Sequence, residues 1–388
     1  MGPEEKKLTE YLSLLTPPDA SAREAAAARW ASLAHPLGGL GLLEDDICDI
    51  AALTGDADIS LHPAAALVFC SDNGVVEEGI SQTDAGVTGV VAENIIHGRT
   101  SVCRMAVSAG IQVAAVDMGI KDFQPPSDVS ASVNSLFSRR IGNGTANIRK
   151  GPAMSREQTA ASVNAGIELA GLFSGNADEA AAGEKAGSTG SWDILPTDGS
   201  AYRLLAAGEM GIGNTTTAAA ILSVLLDRTA QEVTGRGAGL SDQALKKKVQ
   251  VVSDAVNLNQ PDPSDPLDVL SKVGGFDIGG MCGLYIGGAI YKVPVLIDGI
   301  ISSTAALLAY AFNKNSAKAM IASHVSSEPL AADILNRLGK KPLITAGMHL
   351  GEATGAVAAM PLLFMAEAVY KDSYTFSEGK IKSYEKYE

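Results

Sequence analysis

The chain has 388 residues, 46% of them hydrophobic, and a formal net charge of −14. That length can bury a large core, arranged as two or three domains or as one α/β domain with a small appendage. The acidic balance excludes a general binder of nucleic acid or anionic membrane, because such partners need a basic footprint. Any phosphate must then be held locally, by backbone amides and one or two placed cations.

Along the chain, residues 4–50 read as helical. KKLTEYLSLL is amphipathic, and SAREAAAARWASLA is Ala-rich behind a Ser N-cap. A different rhythm follows. Short apolar runs end in Gly or an acid at AAALVFCSDNG (64–74), IQVAAVDMG (111–119), YRLLAAGEMGIG (202–213), VPVLIDG (293–299), AMIASHVS (319–326) and PLITAGMHLGE (342–352). Helix-length segments such as SREQTAASVNAGIELAGLF and TTTAAAILSVLLDRT separate them. Continuous apolar strands alternating with helices predict an α/β fold with a doubly wound, mostly parallel, Rossmann-like sheet. In such sheets ligands sit outside the C-terminal strand ends, which here carry Asp72, Asp117, Glu209, Asp298, His324 and Glu352.

Residues 174–200, rich in Gly, Ser, Asp and Ala, interrupt this rhythm and read as a flexible surface insertion containing Trp192. The four cysteines, Cys48, Cys70, Cys103 and Cys282, lack Cys-x-x-Cys spacing. Reduced, buried thiols in a cytoplasmic protein are expected, with no structural metal. No apolar run reaches the ~20 residues of a membrane span.

Three segments can carry chemistry. GEMGIGNTTTAAA (208–220) runs from a strand through three glycines into an Ala-rich helix. Its amides and helix N-terminus suit a phosphate, although a tight turn with a Thr cap fits the same letters. TGRGAGLSDQALKKKVQVV (234–252) offers Lys248 either as a phosphate cation or as part of a solvated helix face. MHLGEATGAVAAM (348–360) sets Glu352 before a helix, as an ordinary N-terminal acid or as a general base whose pKa is raised by apolar walls. The glycines of 271–292 read as close helix–sheet packing, and His324 as a structural histidine.

Together, CSDNGVVEEGIS (70–81), GNGTANIRKGPAMS (142–155), GEMGIGNTT (208–216), GRGAGL (235–240), NQPDPSDPLDVLSKVGGFDIGGM (259–281), VLIDGIISSTAAL (295–307), SHVSSE (323–328) and HLGEATGA (349–356) resemble, in order, the nicotinate-nucleotide–dimethylbenzimidazole phosphoribosyltransferase family. The resemblance implies a large α/β domain (61–361) and a small helical one from both chain ends (1–60 with about 362–388). It also implies a dimer, formed with itself or with a homologous subunit. The reaction implied is transfer of phosphoribose from nicotinate mononucleotide to an aromatic base without any cofactor. Glu352 matches the general base. Glu209, Met210, Gly211, Gly213, Asn214 and Thr215 fall in the nucleotide segment, and Gly237, Lys248 and Ser326 in the phosphate and ribose neighbourhood. Thr83, Val91, His349, Leu350 and Gly351 fall on the base side. There the chain departs from the family. Asn73 replaces the usual His, Val91 stands at an expected Gln, and His349 stands at an expected Arg. Two readings stay open: an active transferase with an unusual acceptor, or a weak or inactive partner in a heterodimer such as the phenol- or p-cresol-activating variant.

Overall fold

Runs of Ala, Val, Leu and Ile form strands here because both faces of each strand are covered, so no position needs a solvated side chain. The computed structural model describes residues 1–125, 134–176, 201–237 and 239–384. Its sheet has six parallel strands, β1 (Ala64–Ser71), β2 (Gln112–Gly119), β3 (Ser135–Ser138), β4 (Leu204–Met210), β5 (Val295–Ile297) and β6 (Met320–Ala322). The spatial order is β3-β2-β1-β4-β5-β6. The chain reverses direction across the sheet between β1 and β4, which opens the crevice where such folds bind ligands. Register there pairs Phe69 with Glu209 and Cys70 with Met210, so the functional ends of both strands finish level.

Alternation along β1 sends Ala65, Leu67 and Phe69 to one core and Ala66, Val68 and Cys70 to the other. The second core is closed by α2 (Ala20–Ser32), α3 (Leu42–Thr54), α4 (Gly86–Ile96), α5 (Ser101–Ala109) and α14 (Thr354–Asp372). The first is closed by α1 (Pro3–Ser13), α6 (Arg156–Phe173), α7 (Asn214–Leu225), α8 (Ala230–Val233), α9 (Asp242–Asn259), α10 (Pro266–Val273), α11 (Phe276–Tyr291), α12 (Ile300–Phe312) and α13 (Ala331–Arg337). The doubly wound α/β expectation is met.

The N-terminal helices do not stay together. α1 docks on α6, where Lys7 meets Glu168 at 2.6 Å and Asn164 Nδ2 donates to the Glu4 carbonyl at 3.0 Å. α2 and α3 pack on each other and on the chain's other end. Arg29 Nε donates to the Tyr370 carbonyl at 3.1 Å, and Leu33 bridges Thr375. The glycines of α11 give the expected close packing on the sheet, and on α6 as well. A Cβ on Gly283 would stand 1.9 Å from the Val163 carbonyl.

Two local expectations change. Asp19, not Ser21, caps α2, accepting from the Ala22 N–H at 3.0 Å. The 342–352 run is no strand. It meets the sheet edge at the His324–Ile344 bridge and through the Leu343 N–H, which donates to the Ala322 carbonyl at 3.1 Å, and then left-handed Gly347 and Gly351 turn the backbone out of the extended region. Conversely, β3 forms although its four residues, SLFS, are few and mixed in polarity. The insertion and Trp192 lie, from residue 177 on, outside the described residues. All four cysteines are free and buried. No helix among the described residues is long and apolar enough to cross a membrane.

Candidate active site

The cleft lies at the C-terminal edge of the sheet, on the β4–β5–β6 side of the β1/β4 reversal. It has a volume of about 240 Å³ and is lined by the ends of β4 and β5, the segment after β6, and residues 349–352. A second, more open hollow of about 650 Å³ adjoins it and shares Gly237, Glu328 and His349 with it.

One wall is the β4–α7 turn. Glu209 and Met210 end the strand, and α7 starts from Gly213, whose φ of 96° lies in the left-handed region. Asn214 and Thr215 then place the first helical turn on the cleft. The Thr215 hydroxyl accepts from Lys248 Nζ at 2.8 Å, and the Gly235 carbonyl accepts from the same group at 3.2 Å. Lys248 is 1% exposed. Burial pushes its pKa down to about 8, with Glu328 acting the other way. A phosphate against Gly237 and Thr215 would meet helix amides and this recessed ammonium together.

The facing wall is the 349–353 turn. Gly351, Glu352 and Ala353 have φ of 88°, 56° and 67°, three consecutive left-handed residues of which two carry a Cβ. Non-glycine residues in that region cost on the order of 1–3 kcal/mol each, and such strain concentrates at functional sites. The surroundings hold it in place. Asp298 Oδ1 accepts from the Gly355 and Ala356 N–H groups at 2.7 and 3.1 Å, pinning the start of α14. The turn delivers the half-buried Glu352 into the cleft with its Oε2 unpartnered. Burial raises the Glu352 pKa, the charge of Asp298 adds to this, and the Thr100 hydroxyl opposes it. A carboxylate so placed is equipped to take a proton.

Most residues expected from sequence come together here. Glu209, Met210, Gly211, Asn214, Thr215, Gly237, Ser326, His349, Leu350, Gly351 and Glu352 all line the cleft. Gly213 and Lys248 support its wall from behind. Thr83 and Val91 do not line it. Thr83 is exposed, and Val91 packs against the core under α4. The same helix reaches the turn through Thr88, whose Oγ1 accepts from the Ile212 N–H at 3.2 Å and donates to Asp72 at 2.7 Å.

Two further residues join the site, one set at a strand end in the sequence and one without any signal there. His324, read as structural, lines the cleft beside Asp298, and burial drives both toward their neutral forms. Asp277, in the first turn of α11, is fully buried against Asn214. A lone acid in a glycine-rich helix gave no signal. Its position next to β4 is purely tertiary.

The chain matches the family model described as "Phosphoribosyltransferase" over residues 15–186 and 185–381. It is 40% identical over 354 residues to a nicotinate-nucleotide–dimethylbenzimidazole phosphoribosyltransferase of Acetivibrio thermocellus, covering 91% of this chain and 92% of that protein. It is 40% identical over 369 residues to the protein of that name from Syntrophotalea carbinolica, covering 95% and 96%. The crystal structure of CobT from Thermus thermophilus superposes with a TM-score of 0.80 at 32% identity, covering 93% of this chain and 99% of that one.

Proposed function

The chain belongs to the nicotinate-nucleotide–dimethylbenzimidazole phosphoribosyltransferase family, and from that premise we propose that it transfers phosphoribose from nicotinate mononucleotide to an aromatic base in cobamide assembly. The observation that carries the reading is the opposition, across one cleft, of a phosphate-suited turn backed by Lys248 and the carboxylate of Glu352, whose Oε2 is unpartnered, on a strained turn.

The steps follow from the walls. The Thr215 end of α7, Gly237 and Lys248 hold the phosphate, and Ser326 lies beside the ribose. The incoming base uses a ring nitrogen to attack C1′ of the ribose. As that bond forms, the C1′–N bond to nicotinate breaks and its electron pair neutralises the pyridinium nitrogen. The attacking base becomes cationic and gives its N–H proton to Glu352. The protein's main contribution is alignment of two bound reactants and acceptance of one proton.

The altered base side, where His349 lines the cleft, fits an acceptor other than dimethylbenzimidazole, such as a purine or a phenolic ring. For a phenol, oxygen attacks and Glu352 takes the hydroxyl proton. We assign the chain to a dimer on the exposed apolar side chains of Val107 and Met365. They lie on α5 and α14, the two helices that also line a hollow with Met105, Ala109, Val357 and Pro361. The division into a helical part (1–60 with 362–388) and an α/β part (61–361) belongs to the same reading, as does a cytoplasmic location, which the buried free thiols suit.

The test is nicotinate release by the purified chain given nicotinate mononucleotide with dimethylbenzimidazole, adenine or phenol. Release with one acceptor identifies a self-sufficient transferase and names its ring class. Binding of the nucleotide without release under any acceptor sinks the active-enzyme reading in favour of a subunit that needs a homologous partner.

A further inference from the structure

Beneath the β4–α7 turn lies a polar cluster that the reaction steps do not use. Asn214 Nδ2 donates to Asp277 Oδ2 at 3.1 Å and also to Glu209 Oε2, so one amide nitrogen ties two carboxyl groups together. The turn is moulded onto this pair. A Cβ on Gly211 would stand 2.8 Å from Asp277 Oδ2. Asp277 is 0% exposed and lines no part of the cleft, whereas Glu209 does. The oxygen of Glu209 that Asn214 leaves free, Oε1, faces Gly351 on the opposite wall, 2.7 Å from where a Cβ would be.

The charge arrangement poses a problem that this cluster solves. The cleft is lined by Glu209, Asp298, Glu328 and Glu352, yet it must admit a nucleotide carrying a phosphate and a carboxylate. The ionisable groups facing Glu209 are Asp277 from α11, Asp298 after β5, Glu352 before α14 and the buried thiol of Cys70 on β1, and none of them is a base. Asp277 in turn faces Asp72 at the end of β1. Burial pushes Glu209 up to about 8 and Asp277 up to about 6, with the Asn214 hydrogen bond opposing both. Asp277 is the stronger acid of the two, as suits its place at the positive end of α11.

We propose that Asp277 is a positioning residue which, through Asn214, orients Glu209 and keeps a proton on its Oε1, making that oxygen a hydrogen-bond donor to the anionic nucleotide. The inference rests on the nucleotide reading above. Two ionised acids sharing one amide would repel the ligand. One ionised and one neutral acid leave a donor where an anion must dock.

The experiment is calorimetric titration of nicotinate mononucleotide into the full chain between pH 6 and 9, for the wild type, Asp277→Asn, Glu209→Gln and the double variant. Wild-type affinity should fall as pH rises through about 8. Removing the charge of Asp277 makes Glu209 more acidic, so in Asp277→Asn the fall should begin about one pH unit lower. That leaves binding on the order of fivefold weaker at pH 8 and little changed at pH 6. In the Glu209→Gln background the second substitution should move nothing. The loss due to Lys248, which burial sets near 8, stays common to both. An unmoved profile, a uniform loss at every pH, or a shift that persists in the Glu209→Gln background overturns the proposal. Infrared spectroscopy keeps it falsifiable should Asp277→Asn not fold. The wild type at neutral pH must show a protonated carboxyl band that moves on nucleotide addition and is missing in Glu209→Gln, and its absence is fatal. Failure of the wild type to bind the nucleotide at any pH overturns the nucleotide reading itself, and this inference with it.

Discussion

Two turns that lead into helices face each other across the cleft and are built on opposite terms. The turn before α7 reaches the left-handed region at a glycine, Gly213, so its backbone conformation carries little steric cost and its amides lie open to a ligand. The turn before α14 reaches the same region at Glu352 and Ala353, where a Cβ makes the conformation costly. A wall that only has to be approached can be glycine. A wall that has to deliver a carboxylate cannot, and the strain is held there by the Asp298 hydrogen bonds to the start of α14.

Substitutions can break this contrast, beginning with the largest expected effect. Glu352→Gln should lower the transfer rate by about 10²–10⁴-fold with little change in nucleotide affinity, because only the proton acceptor is lost. In the unsubstituted enzyme the rate should rise with pH as Glu352 ionises, at a midpoint above the usual carboxylate range, since burial raises it. Steady-state rates across pH check both, and full activity in Glu352→Gln would remove it as the base. Lys248→Ala should weaken nicotinate mononucleotide by about 10–100-fold while leaving the acceptor's KM nearly unmoved. An equal loss for both ligands would contradict its phosphate role.

Two smaller effects sharpen the comparison of the turns. Gly213→Ala places a Cβ 2.9 Å from Val76 Cγ2 at a φ of 96°. It should cost about 1–3 kcal/mol of stability together with some nucleotide affinity, read from thermal unfolding and titration. Glu352→Gly should do the reverse to the other wall. Transfer is lost, but relief of the left-handed strain should raise stability by up to about 1 kcal/mol, after the entropic cost of glycine is subtracted. A melting temperature unchanged or lowered by Glu352→Gly would show that the turn carries no strain worth relieving.

The sequence by itself determined the layered fold and most of the cleft. Apolar runs such as AAALVFC leave no face for water and so demand a covered parallel sheet. Their polar ends, Glu209 and Asp298 among them, then fall at the edge where ligands bind. Glycines before a helix, and an acid before another, were likewise legible at Gly211, Gly213 and Glu352, because local backbone chemistry imposes them. The tertiary structure alone decided three things. It placed Lys248 behind Thr215, although the two are 33 residues apart. It put His324 beside Asp298 on the cleft, while leaving Thr83 and Val91 off it. It also bound Asp277 to Glu209 through Asn214. Hydrogen bonds between side chains distant in sequence depend on strand order and helix docking, which no local pattern encodes, and burial pushes Lys248 and Glu209 far from their ordinary proton affinities only once those elements have met.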